Sequence, residues 1–311
     1  MILITGATSF AGRAIVTRLV TEGREARCLL RPSQRMQRLA TGILFSIVSA
    51  SMRDLPALRT SMQDVTAIVH LAGEEDLDRE GTLQSHVEDT ANLIAAAQEA
   101  DVSRFIYLSR LGADRSSAYP LFRARGEVEA AVRESGLDTT ILQAPILYGP
   151  EDVSINVLVM LAKMTPLILP IPDSGLSRFQ PLWILDLAKC IQATLDRDDL
   201  IGQTIPLGGP EHFTFEQMAA EVLKAAGMRR RLVRVRMPLM QAIVALLDAI
   251  LPRNPTPPWW LDLVTVGGST DLVTIPRHFG FEPCRFSQCI SYVRNRRPWR
   301  RDLVRYVLDR L

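Results

Sequence analysis

Lysine is nearly missing from this chain. Of its 36 basic residues only Lys163, Lys189 and Lys224 carry an amine, so chemistry that needs one has three places to find it. Cysteine is scarce as well. Cys28, Cys190, Cys284 and Cys289 form no Cys-x-x-Cys pair, and no histidine cluster accompanies them. Neither a zinc site nor a disulfide framework is expected, and a cytosolic, reducing compartment fits. Long apolar runs are lacking. The longest, 155–171 and 237–251, are broken by Lys163, Pro166 and Pro170, and by Gln241 and Asp248. Both fall short of the roughly 20 apolar residues of a membrane span. An apolar strand pattern begins at Met1, so no signal or transit peptide is expected. Nor does one sign of charge dominate. The formal charge is +2, so no general basic field points to nucleic acid, and neither nucleic acid nor metal is an expected partner.

What is present reads as globular. Apolar residues make up 47% of the 311 and charged residues 23%, enough for one large domain and a smaller lobe. In the first half, short apolar runs alternate with helical patterns, as expected for βαβ units. The expected strands are Ile2–Ile4, Ala26–Leu30, Ile43–Val48, Ala67–Leu71, Phe105–Leu108 and Thr140–Leu142. The helical patterns are Gly12–Thr21, Arg35–Ala40, Leu55–Ser61, Leu83–Ala100 and Phe122–Ser135, with glycine stops at Gly23 and Gly136. After Tyr148-Gly149-Pro150, proline becomes dense and the rhythm changes. The larger domain is therefore placed at 1–150 and 178–208, and a smaller C-terminal α/β lobe at 151–177 and 209–311.

Gly6 follows the first strand directly and Gly12 opens the first helix, within Thr5-Gly6-Ala7-Thr8-Ser9-Phe10-Ala11-Gly12. Such glycines let the backbone turn tightly and approach a pyrophosphate, while the helix N-terminus offers N–H donors and a positive dipole end. The fold class is thus α/β, a Rossmann-type doubly wound parallel sheet that binds a dinucleotide.

These residues resemble the extended and atypical short-chain dehydrogenase/reductases, which show Thr-Gly-x-x-Gly-x-x-Gly here, with Ser9 in place of the middle glycine. The resemblance covers about residues 1–235. It continues through Val69-His70-Leu71-Ala72-Gly73, Phe105-Ile106-Tyr107-Leu108-Ser109, Leu147-Tyr148-Gly149-Pro150, Gln180–Ala188 and Leu207-Gly208-Gly209-Pro210 with Phe213–Glu216. It is closest to the branch that contains the nucleotide-binding accessory subunit of respiratory complex I, with NmrA-like proteins nearby. It implies that Leu71, Ala72 and Gly73 lie beside the adenosine.

The second strand ends Leu30-Arg31-Pro32-Ser33, with no acid to hold a ribose 2′-OH. Arg31 and Ser33, with Arg13 at the start of the first helix, suit a 2′-phosphate instead, so NADP(H) is favoured over NAD(H). By resemblance the catalytic set would be Tyr-x-x-x-Lys with a serine. The matching stretch gives Tyr119 and Arg123, with Ser109 near the serine position; a second register puts Arg110 there. These three would also touch the nicotinamide end of the cofactor. Arginine keeps the charge but cannot shuttle a proton, and Gln143 stands where an arginine is usual. The set reads as degenerate. The function implied is an NADP(H)-binding accessory or assembly factor of a membrane complex of respiratory type. The alternatives are an active NADP-dependent reductase, epimerase or dehydratase on a small carbonyl compound, and an NmrA-like redox sensor.

The C-terminal stretch supplies the expected partner surface. Trp299, Leu303, Val307 and Leu311 recur every four positions after Pro298, beside Arg294, Arg296, Arg297, Arg300 and Arg301. That is an amphipathic helix with an arginine-rich side, which docks either on its own lobe or on a membrane-associated complex. Arg229-Arg230-Arg231 adds a second basic patch. The expected location is cytoplasmic, peripheral at the inner face of a membrane.

Overall fold

The computed structural model describes residues 1–32, 39, 42–71, 82–165, 167–173, 177–250 and 258–294. They fall into two compact units. The first is built from 1–144, 184–207 and 274–281; the second takes 145–183, 208–273 and the described residues from 282 onward. The chain thus changes unit already after Ala144, and 178–183 and 274–281 lie across the division from where sequence reasoning assigns them. Strand pairing gives the reason for 178–183. Leu147–Tyr148 pairs with Leu182–Trp183, and Phe213–Thr214 with Arg178–Phe179, apart from the large sheet.

In chain order, unit 1 supplies β1 (Ile2–Thr5), α1 (Phe10–Thr21), β2 (Ala26–Leu30), β3 (Ser46–Ser49), α2 (Leu55–Ser61), β4 (Ala67–Leu71), α3 (Thr82–Glu99), β5 (Arg104–Arg110), α4 (Pro120–Arg133) and β6 (Asp138–Ala144). Unit 2 then contributes β7 (Leu147–Tyr148), α5 (Ser154–Met164), β8 (Ile168–Pro172), β9 (Arg178–Phe179) and β10 (Leu182–Trp183). The chain returns for α6 (Ile184–Leu195) and β11 (Thr204–Pro206). It leaves again for β12 (Phe213–Thr214), α7 (Phe215–Ala225), β13 (Arg231–Val235), α8 (Met237–Ile250) and α9 (Pro258–Val266). Helix α10 (Thr274–Phe279) rejoins unit 1, and α11 (Phe286–Cys289) belongs to unit 2.

Unit 1 is a Rossmann-type α/β fold with a seven-stranded parallel sheet ordered β11-β6-β5-β4-β1-β2-β3. From the centre the chain moves outward one way through β1-α1-β2 and the other way through β4-α3-β5-α4-β6. Right-handed crossovers therefore put α1 and α3 on opposite faces. Helix α1 packs on α6, and α2, α3 and α4 pack in a row. Covered on both sides, β1 and β4 are buried at every position, which explains why all but Thr5 and His70 are apolar there. Leu3, Ile68, Phe105, Tyr107, Leu93, Val128 and Val132 form the core beneath α3 and α4. The third strand is Ser46–Ser49, shorter and later than the expected Ile43–Val48. As the sheet edge it carries exposed residues, and Leu44 before it is exposed. The helical pattern Arg35–Ala40, apart from the buried Leu39, and the arginine-rich stretch Pro298–Leu311 lie outside the described residues.

Unit 2 has its own core of Tyr148, Phe179, Phe215, Met218, Val222 and Phe286, with β8 and β13 as a parallel pair. Asp152 anchors its first helix. Its carboxylate accepts from the Ile155 and Asn156 N–H groups at 2.6 and 3.3 Å, from Gly149 N–H at 3.1 Å and from the Tyr292 hydroxyl at 2.5 Å. Burial nevertheless pushes its pKa up to about 6. A disulfide joins Cys284 to Cys289, whose Cα atoms stand 6.4 Å apart. This corrects the expectation of a chain without disulfides. Five residues apart, the two match no motif, and the short turn of α11 brings them together. Cys28 and Cys190 are buried free thiols whose pKa values burial raises.

Candidate dinucleotide site

In a doubly wound sheet, ligands bind where the strand order reverses, outside the carboxyl ends of the strands. That point lies between β1 and β4. The residues available there are the Gly6–Gly12 turn, the ends of β2, β4 and β5, and the start of α4.

The turn is built from close approaches. Gly6 has φ +69°, and a Cβ on it would stand 2.4 Å from the Leu71 carbonyl oxygen at the end of β4. A Cβ on Gly12 would meet the Gly6 carbonyl oxygen at 2.1 Å. Both glycines are required by the packing of strand, turn and helix, with or without a ligand. Ser9 is the N-cap of α1, and its hydroxyl accepts from Gly12 N–H at 3.0 Å. The serine that replaces the usual glycine therefore holds one of the helix's first donors. Helix geometry leaves the first-turn N–H groups of Phe10 and Ala11 without an intrahelical acceptor, the arrangement that suits a phosphate. Thr8 is buried, and Arg13 reaches back to donate to its carbonyl at 2.5 Å. Arg13 thus braces the turn from the helix side.

Thr5 fastens the turn to the sheet through a chain of hydrogen bonds. Its hydroxyl accepts from Leu71 N–H at 3.3 Å and lies 2.6 Å from His70 Nδ1. His70 Nε2 lies 3.0 Å from the Thr90 hydroxyl, which donates to the His86 carbonyl at 2.8 Å. The Thr90 proton is spent on the His86 carbonyl, so Nε2–H donates to Thr90, and in the neutral ring Nδ1 then accepts the Thr5 proton. The neutral Nε2–H tautomer satisfies every one of these contacts. Burial, then the Arg125 and Arg31 charges, push its pKa down to about 3. His86 stacks on it at 5.8 Å and is shifted well down by burial, Arg125, His70 and Arg31.

Arg31 follows β2 half-buried, and its charge acts on His70, His86 and Asp89 of α3. Leu71 closes β4 and is buried. Ser33, Ala72 and Gly73 lie outside the described residues. Ser109, on β5, is buried, with Arg110 beside it. Burial, then Arg125, push the Arg110 pKa down to about 9.

The start of helix α4 carries two of the residues that sequence reasoning groups. Tyr119 is its half-buried N-cap, and Arg123 is exposed. The inward cation is Arg125, missed in the sequence, 3% exposed and donating to the Tyr107 hydroxyl at 3.4 Å. Two residues apart, Arg123 and Arg125 are about 200° apart around a helix. Four before Arg125, on the same buried face, is Leu121. Further along that face Glu129 is buried, accepting from Gln143 at 2.8 Å and Arg133 at 2.6 Å. A signal existed: Leu121, Val128 and Val132 form an apolar stripe, and Arg125 falls inside it.

The model of the NAD(P)H-binding family matches residues 6–164. The chain belongs to this family, and its relatives and fold place it among the atypical short-chain dehydrogenase/reductases. It is 29% identical over 262 residues to the mitochondrial NADH dehydrogenase [ubiquinone] 1 alpha subcomplex subunit 9 of Arabidopsis thaliana, covering 82% of this chain. It spans 65% of that relative's length. It is 28% identical over 262 residues to a ceramide reductase of Caulobacter vibrioides, covering 83% of this chain and 80% of the relative. In fold it is similar to the NADPH-dependent quinone oxidoreductase QOR2 of Escherichia coli, a structure complexed with NADPH. That match has a TM-score of 0.76 at 22% identity and covers 95% of this chain and all of the other.

The residues present fit such a nucleotide. The turn brings backbone N–H groups of the α1 N-terminus to where a pyrophosphate would lie. No described acid stands at the end of β2. When bound, the dinucleotide would supply hydride chemistry; the chain's part is to hold and orient it.

Proposed function

We propose that this protein is an NADP(H)-binding accessory or assembly factor of a membrane complex, one that holds the nucleotide with little or no turnover. The observation that carries the proposal is the buried face of α4, where Arg125 stands with Leu121 four residues before it. A tyrosine there would move the substrate's proton; a leucine has none to give. Tyr119 is the half-buried N-cap and Arg123 is exposed, so Arg123 is off that buried face. NADP(H) preference is supported by Arg31 at the end of β2, where NAD sites carry an acid. The accessory role is supported by likeness to the complex I subunit, and the arginine-rich 294–311 stretch is the proposed contact.

NADPH should bind at least about tenfold tighter than NADH by calorimetry, a difference of about 1.4 kcal/mol, and Arg31→Ala should shrink that gap. Equal affinities would overturn the cofactor assignment. Likeness to a ceramide reductase supports a second reading, an active reductase. Steady NADPH consumption with a ketone substrate, lost in Arg125→Met, would establish that reading and end the first.

A further inference from the structure

Unit 2 carries an apolar surface that its own core does not use. Helix α8 turns Met240 and Val244 inward against Leu261 and Trp260. Its opposite side exposes Leu239 (58%), Ile243 (41%), Leu246 (61%) and Ile250 (66%). The spacings of four, three and four residues put these side chains on one continuous face, with Ala242, Ala245 and Ala249 exposed between them. Asp248 is the helix's lone charged residue. Fourteen residues make a helix about 21 Å long, too short for a hydrocarbon core of about 30 Å. Among the described residues no helix is long and apolar enough to cross a membrane.

The approach to α8 is cationic. Arg229, Arg231, Arg234 and Arg236 are exposed within eight residues, along β13 and its ends. Arg234 pairs with Glu216 and Lys224 with Glu221; the described residues offer no ion-pair partner to Arg229, Arg231 or Arg236. Lys224, Arg229, Arg230 and Arg231 line an open depression of about 810 Å³ with Leu223, Met228 and Leu232. Five residues of strand, about 17 Å, separate Arg231 from the start of α8.

We infer that α8 lies flat in the interface of an anionic bilayer, its Leu239–Ile250 face among the acyl chains and the Arg229–Arg236 strip on the lipid phosphates. The charge complementarity selects this occupant. A bilayer takes aliphatic side chains without directional partners and anionic headgroups beside them. The exposed face of α8 has no aromatic ring and only Gln241 and Asp248 to offer hydrogen bonds, unlike the centre of a protein interface, which is enriched in aromatic residues. The inference does not rest on the nucleotide reading.

The test is co-sedimentation of the full chain with vesicles of phosphatidylcholine alone and with phosphatidylglycerol added. Binding is expected to the anionic vesicles and to weaken with salt, because headgroup contacts are screened. The double variant Ile243→Glu, Leu246→Glu should bind at least about tenfold more weakly, since two buried aliphatics become charges. Arg229→Glu with Arg231→Glu should lose the preference for anionic over neutral vesicles. Both should keep the unmodified melting temperature and NADPH affinity, because the altered side chains are exposed. Three results would overturn the proposal: no binding to anionic vesicles, undiminished binding by both variants, or a fall in melting temperature in the α8 variant. The last would show that the chain itself or a second copy covers the face; light scattering separates those two.

Discussion

His70 shows how much one side chain in the sheet decides. It joins Thr5, which starts the phosphate turn, to Thr90 on α3, and burial keeps it neutral there. In the folded chain it titrates at about 3, against 6.5 as its ordinary value. Between those values the unfolded chain takes up a proton that the folded chain refuses. The stabilisation is full above pH 6.5 and falls as the pH drops toward 3, by about 1.4 kcal/mol per unit. From pH 7 to 5, urea unfolding should therefore lose roughly 2 kcal/mol through this residue. His70→Asn should remove that part of the slope while costing about 1–3 kcal/mol at pH 7, since Thr5 and Thr90 lose their partner. An unchanged slope would mean that the ring is not buried neutral. Gly12 is decisive in a different way. Its missing side chain makes room for the backbone of Gly6 and Ala7, so even Gly12→Ala should displace the turn. NADPH affinity should fall at least about a hundredfold, with roughly 1–3 kcal/mol of stability lost from the forced shift; normal binding would put the ligand elsewhere.

At the scale of elements, α4 is held as firmly by a loop as by the sheet. A Cβ on Gly126 would stand 2.3 Å from the Arg115 backbone nitrogen and 2.4 Å from the Asp114 carbonyl carbon. Asp114 N–H in turn donates to the Phe122 carbonyl at 3.0 Å. Gly126→Ala should push the loop off the helix and lower the melting temperature by several degrees, for a cost of roughly 1–3 kcal/mol. An unchanged melting temperature would mean that the loop shifts freely. The same helix marks where sequence reading stops. Buried strands such as Ala26–Leu30 and Ala67–Leu71 were legible to the residue, because burial on both faces leaves mostly apolar runs, interrupted only by Arg27 and His70. The edge strand was not, because an edge does not require one. The phosphate turn was legible since its glycines answer to backbone geometry alone. The reason for Gly12 was not, because contact with Gly6 joins residues that only the fold brings together. Arg125 was hidden by its charge, which suits a solvated position, and only the helical period of Leu121, Val128 and Val132 turns it inward.

For the whole molecule, a nucleotide that binds only the folded chain must stabilise it. At a concentration a hundred times its dissociation constant, NADPH should add about 2.7 kcal/mol, seen as a concentration-dependent rise in melting temperature. No rise at saturation would leave the turn without its ligand. Unit 1 has a further property set by the order of its segments. Its sheet ends at β6 on one side until β11 arrives at residues 204–206, and α10, which packs on α6, is not made before residue 279. A ribosome adding roughly 5–20 residues per second takes about 3–12 s to travel from 144 to 204. During those seconds the nascent chain carries six paired strands with an open margin while it makes part of another unit. Unit 1 thus begins first yet cannot close its sheet until the leading segment of unit 2 has been made, and its yield in the cell should depend on what shields that margin during synthesis. A circular permutant that starts just before α6 would make β11 ahead of the rest of the sheet and remove the wait.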